Sequence, residues 1–374
     1  MNAISPPAHR HRFVWIGLVL LLSLALFTTW YVLAHQGVTN PWTAFYVVRD
    51  RRVLSPVISW PLVAWVDSTE PLTAKLFVKN LETEEMYNLD DVLPCAVSAI
   101  GRDDIALEGD WLVVMHNCDY PAPAKLYAYN LATSELIWIA PPAGTPPGQD
   151  WPYEPEISGN HIVWQQEDWN STTIDIYLFD LQSRTAMSLT QTTPPWGALH
   201  PDISQDWVVW DQAKFGTTEQ YLVAFNVTTS EQITVSIPGS IYTIPPSIDE
   251  GIIVWTDFRN SSLQGDIYGY DLGSHNLITI TTGTNHQIEP AIEGDIVVYW
   301  EEVGSSEYVI YGHDLSSNET HLIFQALPDY FIETPFDIDQ QVVVWVVDKP
   351  NTTRSDIYGA QQLPQRWYLP FLRR

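Results

Sequence analysis

Basic residues are scarce in this chain, and their scarcity excludes more than any motif does. Lys and Arg number 17 against 45 Asp and Glu in 374 residues, a formal net charge of -28. A surface of that sign repels phosphate backbones, so nucleic acid is not an expected partner. Only one acid, Asp50, precedes residue 67, so the acidity belongs to the remainder of the chain. Cysteine is limited to Cys95 and Cys118, with no CxxC pair to make a zinc or redox motif. Methionine occurs four times, and no helical periodicity is sustained beyond the first 35 residues. The chain also lacks a G-x-S-x-G elbow, a P-loop, an HExxH pair, an EF-hand loop and a dinucleotide fingerprint. No catalytic residue and no cofactor is therefore expected.

Aromatic residues are plentiful: they make up 13% of the chain, with 17 Trp and 18 Tyr. Such side chains suit pleated sheets. One long apolar run is present, residues 13–34, "FVWIGLVLLLSLALFTTWYVLA", without a charge. Its 22 residues can cross a hydrocarbon core about 30 Å thick. His9, Arg10, His11 and Arg12 precede it, which predicts a cytoplasmic N-terminus and an extracytoplasmic remainder. The run reads as a signal-anchor helix. A cleaved signal peptide, with Val32 and Ala34 before the cut, is the alternative, and the domain is then secreted.

Internal repetition dominates everything after the apolar run. "PEISGNHIVW" ends at Trp164, and related segments end at Trp65, Val114, Trp210, Trp255, Tyr299 and Trp345, spaced 44 to 50 residues apart. Each is followed by a second motif, clearest as "DIYLFDL" from Asp175, "DIYGYDL" from Asp266 and "DIYG" from Asp356. Within one repeat, "P-x-I-S" reads as a first strand, the β-branched run ending in Trp as a second, and the alternating "DIYLFDL" as a third. A Thr-rich stretch such as "LITITT" from Leu277 reads as a fourth. Four strands per repeat of about 45 residues is the pattern of a propeller blade. The expectation is an all-β, seven-bladed β-propeller of four-stranded antiparallel blades, preceded by one transmembrane helix. The recurrent Trp, with Phe77, Tyr127, Tyr177, Tyr268, Tyr311 and Tyr358, are expected to fill the space between blades. The segment from Ala44, "AFYVVRD", is favoured to supply the missing outer strand of the last blade, over the C-terminal "QRWYLPFL", whose prolines suit coil. The organisation is then 1–12 basic tail, 13–34 anchor, 35–55 linker and ring-closing strand, 56–363 propeller and 364–374 tail.

"DIYLFDL", "DIYGYDL" and "WTDFRN" from Trp255 resemble the TolB-like repeats of bacterial and archaeal envelope proteins, over about residues 56–360. The resemblance implies the propeller fold. Proteins with such repeats include periplasmic assembly factors, surface proteins, and propellers attached to peptidases or sugar lyases, so it implies no single function. This chain departs from the usual repeat in its acidic or Gln turns, such as Asp249-Glu250-Gly251, and it lacks the additional N-terminal domain of TolB itself.

In a propeller, the loops between second and third strands and those between blades emerge on one face. Trp151, Tyr153 and Glu154 are expected in the loop before blade three, Trp169 in a loop of that blade, and Trp196 and His200 in the loop before blade four. Aromatics beside carboxylates suit stacking on sugar rings or gripping a cationic group. His116, His200 and His286 come from blades two, four and six of the same face, as in sugar lyases of similar repeat type, but no paired spacing marks a metal site. Cys95 and Cys118 fall on that face of blade two and form a disulfide if the domain is exported. Sequons occur at Asn170, Asn226, Asn260, Asn318 and Asn351. The sequence thus points to a non-catalytic, membrane-anchored binding or scaffolding module with a protein or polysaccharide ligand. A metal-assisted polysaccharide lyase or hydrolase is the first alternative, and a purely structural envelope protein the second.

Overall fold

The computed structural model describes residues 40–69, 74–93, 104–116, 124–140, 150–168, 171–235, 243–261, 263–304 and 307–362. The apolar run 13–34, Cys95, Cys118, Trp169, Asn170 and the tail 364–374 lie outside the described residues, as does the side chain of His116. No helix among the described residues is long and apolar enough to cross a membrane.

The unit Trp42–Arg374 holds seven four-stranded antiparallel sheets. Each is a blade, with its first strand innermost. Inner strands touch their neighbours from blade to blade, and the inner strand of blade seven, Phe331–Asp339, touches that of blade one, Val53–Ser59. The ring is closed. Within each blade the first and third turns lie on one face, the turn face. The loops after the second and fourth strands lie on the other, the loop face.

The period-two pattern of the repeat explains the packing. In the second strand of each blade, the anchor residue points at the preceding blade. Trp164 packs with Ala128 and Ile139 of blade two, Trp255 with Val209 and Leu222 of blade four, and Trp65 with Val344 of blade seven. Seven such clusters correspond to seven clefts between blades. The aromatic of the third strand stands directly opposite the anchor, as in Trp65–Phe77, Trp164–Tyr177 and Trp345–Tyr358, with centroids 5.6 to 5.9 Å apart and rings within 25° of parallel. In blades three, four and five the second residue after the Trp satisfies the indole: Trp164 Nε1 donates to Gln166, Trp210 Nε1 to Gln212 and Trp255 Nε1 to Asp257, whereas the Nε1 atoms of Trp65 and Trp345 are buried without a partner among the described residues. The clefts are filled with aromatic area, and three of the five anchor indoles have an acceptor.

A second device runs around the axis. The last residue of each inner strand accepts a hydrogen bond from the first turn of the next blade. Gly109 N donates to Ser59, Gly159 N to Glu108, Gln205 N to Ser158, and Glu250 N to Ser204. Gly294 N donates to Asp249, Gln340 N and Gln341 N to Glu293, and Trp60 N to Asp339. All seven junctions are bonded, including the one from blade seven to blade one. This is why the repeat ends its inner strand in Ser, Asp or Glu. The turn residue beside it is left-handed, as at Gly159 (φ 58°) and Gln205 (φ 55°), so the amide points back at the neighbour.

The outer strand of blade seven is the N-terminal strand Trp42–Arg51, antiparallel to Ser355–Gln362. Phe45 lies over Gly359, where a Cβ would come within 2.5 Å of the ring. At the other end Lys349 Nζ reaches Asp50 Oδ1 at 2.9 Å and the buried Asp356 at 2.8 Å, and Asp50 N donates to Asp356. The first and last strands of the propeller are thereby riveted by one lysine.

Candidate ligand-binding site

The inner strands do not begin at their proline, as the repeat suggests. In blades three and four they start at Asp150 and Trp196, and Trp151, Tyr153 and His200 are strand residues rather than loop residues. His286 likewise opens the inner strand of blade six. Proline interrupts the ladder but does not end it. The second strand continues past its Trp, and Gln165–Asp168 pair with Asp150–Tyr153 beyond a bulge.

The bulge shapes the site. Its first residue, just before the proline, is left-handed in four blades: Ser55 (φ 50°), Glu154 (49°), His200 (50°) and Glu289 (54°). A side-chain-bearing residue held there costs about 1–3 kcal/mol. The four residues line a central cavity of about 440 Å³. Glu154, His200 and Glu289 stand at its mouth on the loop face. Two residues further along the strands, Glu156, Asp202 and Asp337 form a middle tier, and Glu108, Asp249, Glu293 and Asp339 lie at the turn face. Among the described residues lining it there is no Lys or Arg, and His200 is the single basic group.

Burial dominates the chemistry of these carboxyls. Asp202 is pushed up to about 6 and Asp337 to about 7, although each accepts two backbone N–H bonds that favour its anion. Glu154 is also raised by burial, and the nearby His200 charge offsets this in part.

The structure brings Glu154 and His200 together at the cavity mouth, whereas Trp151 and Tyr153 precede Glu154 on the same strand and Trp151 packs against the cleft between blades two and three. Trp151 and Tyr153 are stacked, with centroids 6.4 Å apart and 17° between planes. Burial pushes the Tyr153 phenol up to about 12, with Glu167 adding to it. His200 Nε2 lies 3.9 Å from Glu154 Oε1, and its Nδ1 lies 3.9 Å from the buried Asp211. These distances suit ion pairing of a protonated imidazole more than hydrogen bonding. Trp196 sits one cleft further on, 5.7 Å from Tyr221, with the Lys214 ammonium 5.3 Å over its ring. An internal cation thus takes the ring face that a ligand would need.

His286 is two blades from His200. Its Nδ1 accepts the Gly265 N–H at 2.9 Å, which leaves the proton of the neutral ring on Nε2, and burial lowers its pKa. No group of three His, Cys, Asp or Glu among the described residues is arranged to hold a metal ion. Of the sequons, Asn226 is buried and accepts the Thr228 and Thr229 amides, while Asn260 donates to Asp266 and Tyr268. Asn318 and Asn351 are exposed. Sequence reasoning missed Glu289, Asp202 and Asp337 as site residues. The signal was present, because Glu289 shares its repeat column with Glu154 and His200.

Neither a family model nor a curated protein matches the sequence. Among solved structures, the chain is similar to the β-propeller domain of the Trilobed protease from Pyrococcus furiosus. That match has 13% identity and a TM-score of 0.61, and covers 88% of this chain and 99% of that one. An acylaminoacyl peptidase from Pyrococcus horikoshii matches at 14% identity and TM-score 0.59, over 84% of this chain and 52% of that one. A puromycin hydrolase matches at 14% and 0.60, over 83% and 51%. The chain spans about half the length of these two hydrolases. TolB from Acinetobacter baumannii matches at 11% identity with a TM-score of 0.44, too low to argue from. At these identities the likeness establishes the fold alone: the chain is a seven-bladed β-propeller of four-stranded antiparallel blades.

Proposed function

We propose that the chain is a non-catalytic binding or scaffolding propeller that works outside the cytoplasm and meets a protein or polysaccharide ligand at the channel mouth on its loop face. The observation that carries this reading is the Glu154–His200 pair at the mouth of a cavity lined by carboxylates, with the Trp151–Tyr153 stack on the strand that delivers Glu154. Such a mouth offers several acceptors, with a stacked aromatic pair on the adjoining strand segment, and it favours a ligand that brings hydroxyl or cationic donors. An anchor at 13–34 belongs to the same reading.

Glycan and peptide arrays probed with the wild type and with the Trp151→Ala/Tyr153→Ala double variant test the proposal. The expected outcome is a ligand class bound by the wild type and lost by the double variant, with Trp196→Ala close to wild type. Binding that survives the double variant overturns it, and no binding at all favours a purely structural envelope protein. One observation favours a second reading: a raised Glu154 carboxyl against an imidazole backed by Asp211 could move protons. Polysaccharide cleavage by the wild type, abolished in His200→Ala, would establish a lyase or hydrolase instead.

A further inference from the structure

Blades five to seven carry a run of rings on the loop face that no repeat column explains. Phe258 lies 5.8 Å from His286, His286 6.1 Å from Trp300, Trp300 5.3 Å from Tyr308, and Tyr308 5.1 Å from Phe331. The rings come from a loop of blade five, three strands of blade six, and the first residue of the inner strand of blade seven. The column pairs Trp65–Phe77, Trp164–Tyr177 and Trp345–Tyr358 lie within 25° of parallel, whereas these rings meet at 39° to 77°. The run also reaches water. Phe331 is 51% exposed, and Leu327, in the turn that delivers the chain to it, is 63% exposed. Two large apolar side chains left in solvent against a packed aromatic wall are the makings of an interface core.

Charge decides what can cover them. The nearby cations are already engaged within the chain. Arg259 pairs with Asp257 at 2.6 Å and lies over Tyr268, Lys349 pairs with Asp50 and Asp356, and Arg354 donates to the Asp50 carbonyl. Glu302 stands opposite His286 in the ladder, at the edge of the wall, and Glu289 lines the adjoining channel mouth. A second copy of this chain, with a net charge of -28, would be repelled. Edge-on rings make a poor platform for a flat sugar face.

We propose that this wall is a docking surface for a protein segment that is both basic and apolar. An aromatic or aliphatic anchor seats against Phe331, Tyr308 and Leu327, and a neighbouring Lys or Arg pairs with Glu302. The proposal rests on the loop-face binding reading and names the partner's chemistry.

Fluorescence anisotropy on the full chain tests it, with a labelled peptide of alternating Lys and Phe and a Glu–Phe counterpart as probes. The Lys–Phe peptide is expected to bind and the Glu–Phe peptide not to bind. Leu327→Ser/Phe331→Ser should weaken binding at least about tenfold while the circular dichroism stays unchanged. Glu302→Gln should flatten the salt dependence, and Met187→Ser, on the exposed outer strand of blade three, should leave the affinity as it was. Equal binding of both peptides, or no effect of the double variant, overturns the proposal. Loss of binding in Trp151→Ala alone also overturns it, while leaving the channel-mouth reading intact. Glycan binding that disappears with the same double variant would assign the wall to a sugar and overturn it too.

Discussion

Asp337 is the residue whose environment most alters its chemistry. Its ordinary pKa is 3.8, and burial pushes it up to about 7 in the fold. Between those values the folded protein holds a proton that the unfolded chain has released, so this group withdraws stability as pH rises from about 4 to about 7. Asp337→Asn removes the titration. Thermal unfolding of the variant should improve relative to wild type between pH 5 and pH 8, and a constant difference would contradict the assignment. A ligand cation should bind more tightly over the same rise, as Asp337 and Asp202 ionise. Trp255, wholly buried between blades four and five, sets the other extreme. Trp255→Ala should cost about 3–5 kcal/mol in denaturant unfolding, whereas Trp196→Ala, at a half-exposed strand end, should cost far less. The sequence distinguishes these two tryptophans because one stands in a column that is Trp in five of the seven blades and the other does not. It could not show that Lys214 covers Trp196, since that contact depends on two strands meeting in register.

At the scale of the element, the inner strand departs furthest from its sequence pattern. A proline normally marks a strand's edge, because it cannot donate to the ladder. Here the ladder resumes beyond a bulge, and the residue before the proline is turned into the channel. Period-two alternation therefore locates the strand correctly but places Glu154, His200 and Glu289 outside it. Polar residues ending the inner strands, by contrast, are plain in the sequence, though their partners in the next blade are not. The closing strand Trp42–Arg51 makes its own prediction. Lys349→Ala leaves the buried Asp356 without its cation, which should cost about 1–3 kcal/mol. Hydrogen exchange should quicken in 42–51 and 355–362 before any other blade. Uniform quickening around the ring would argue against a seam at that junction.

At the scale of the whole molecule, seven repeats of one pattern give a ring whose clefts are apolar and whose axis is acidic. The blade count was legible because Trp-ended strands recur at a near-constant period. The acidic channel was not, because its carboxylates come from strands far apart in the chain and meet only on ring closure. The most direct test of a loop-face binding site is hydrogen exchange of the full chain, alone and saturated with a ligand identified on the arrays. The account predicts new protection at 150–158, 196–204 and 286–293. Protection confined to the turn-face segments around 109, 159 and 205, or to the outer strands, would contradict it.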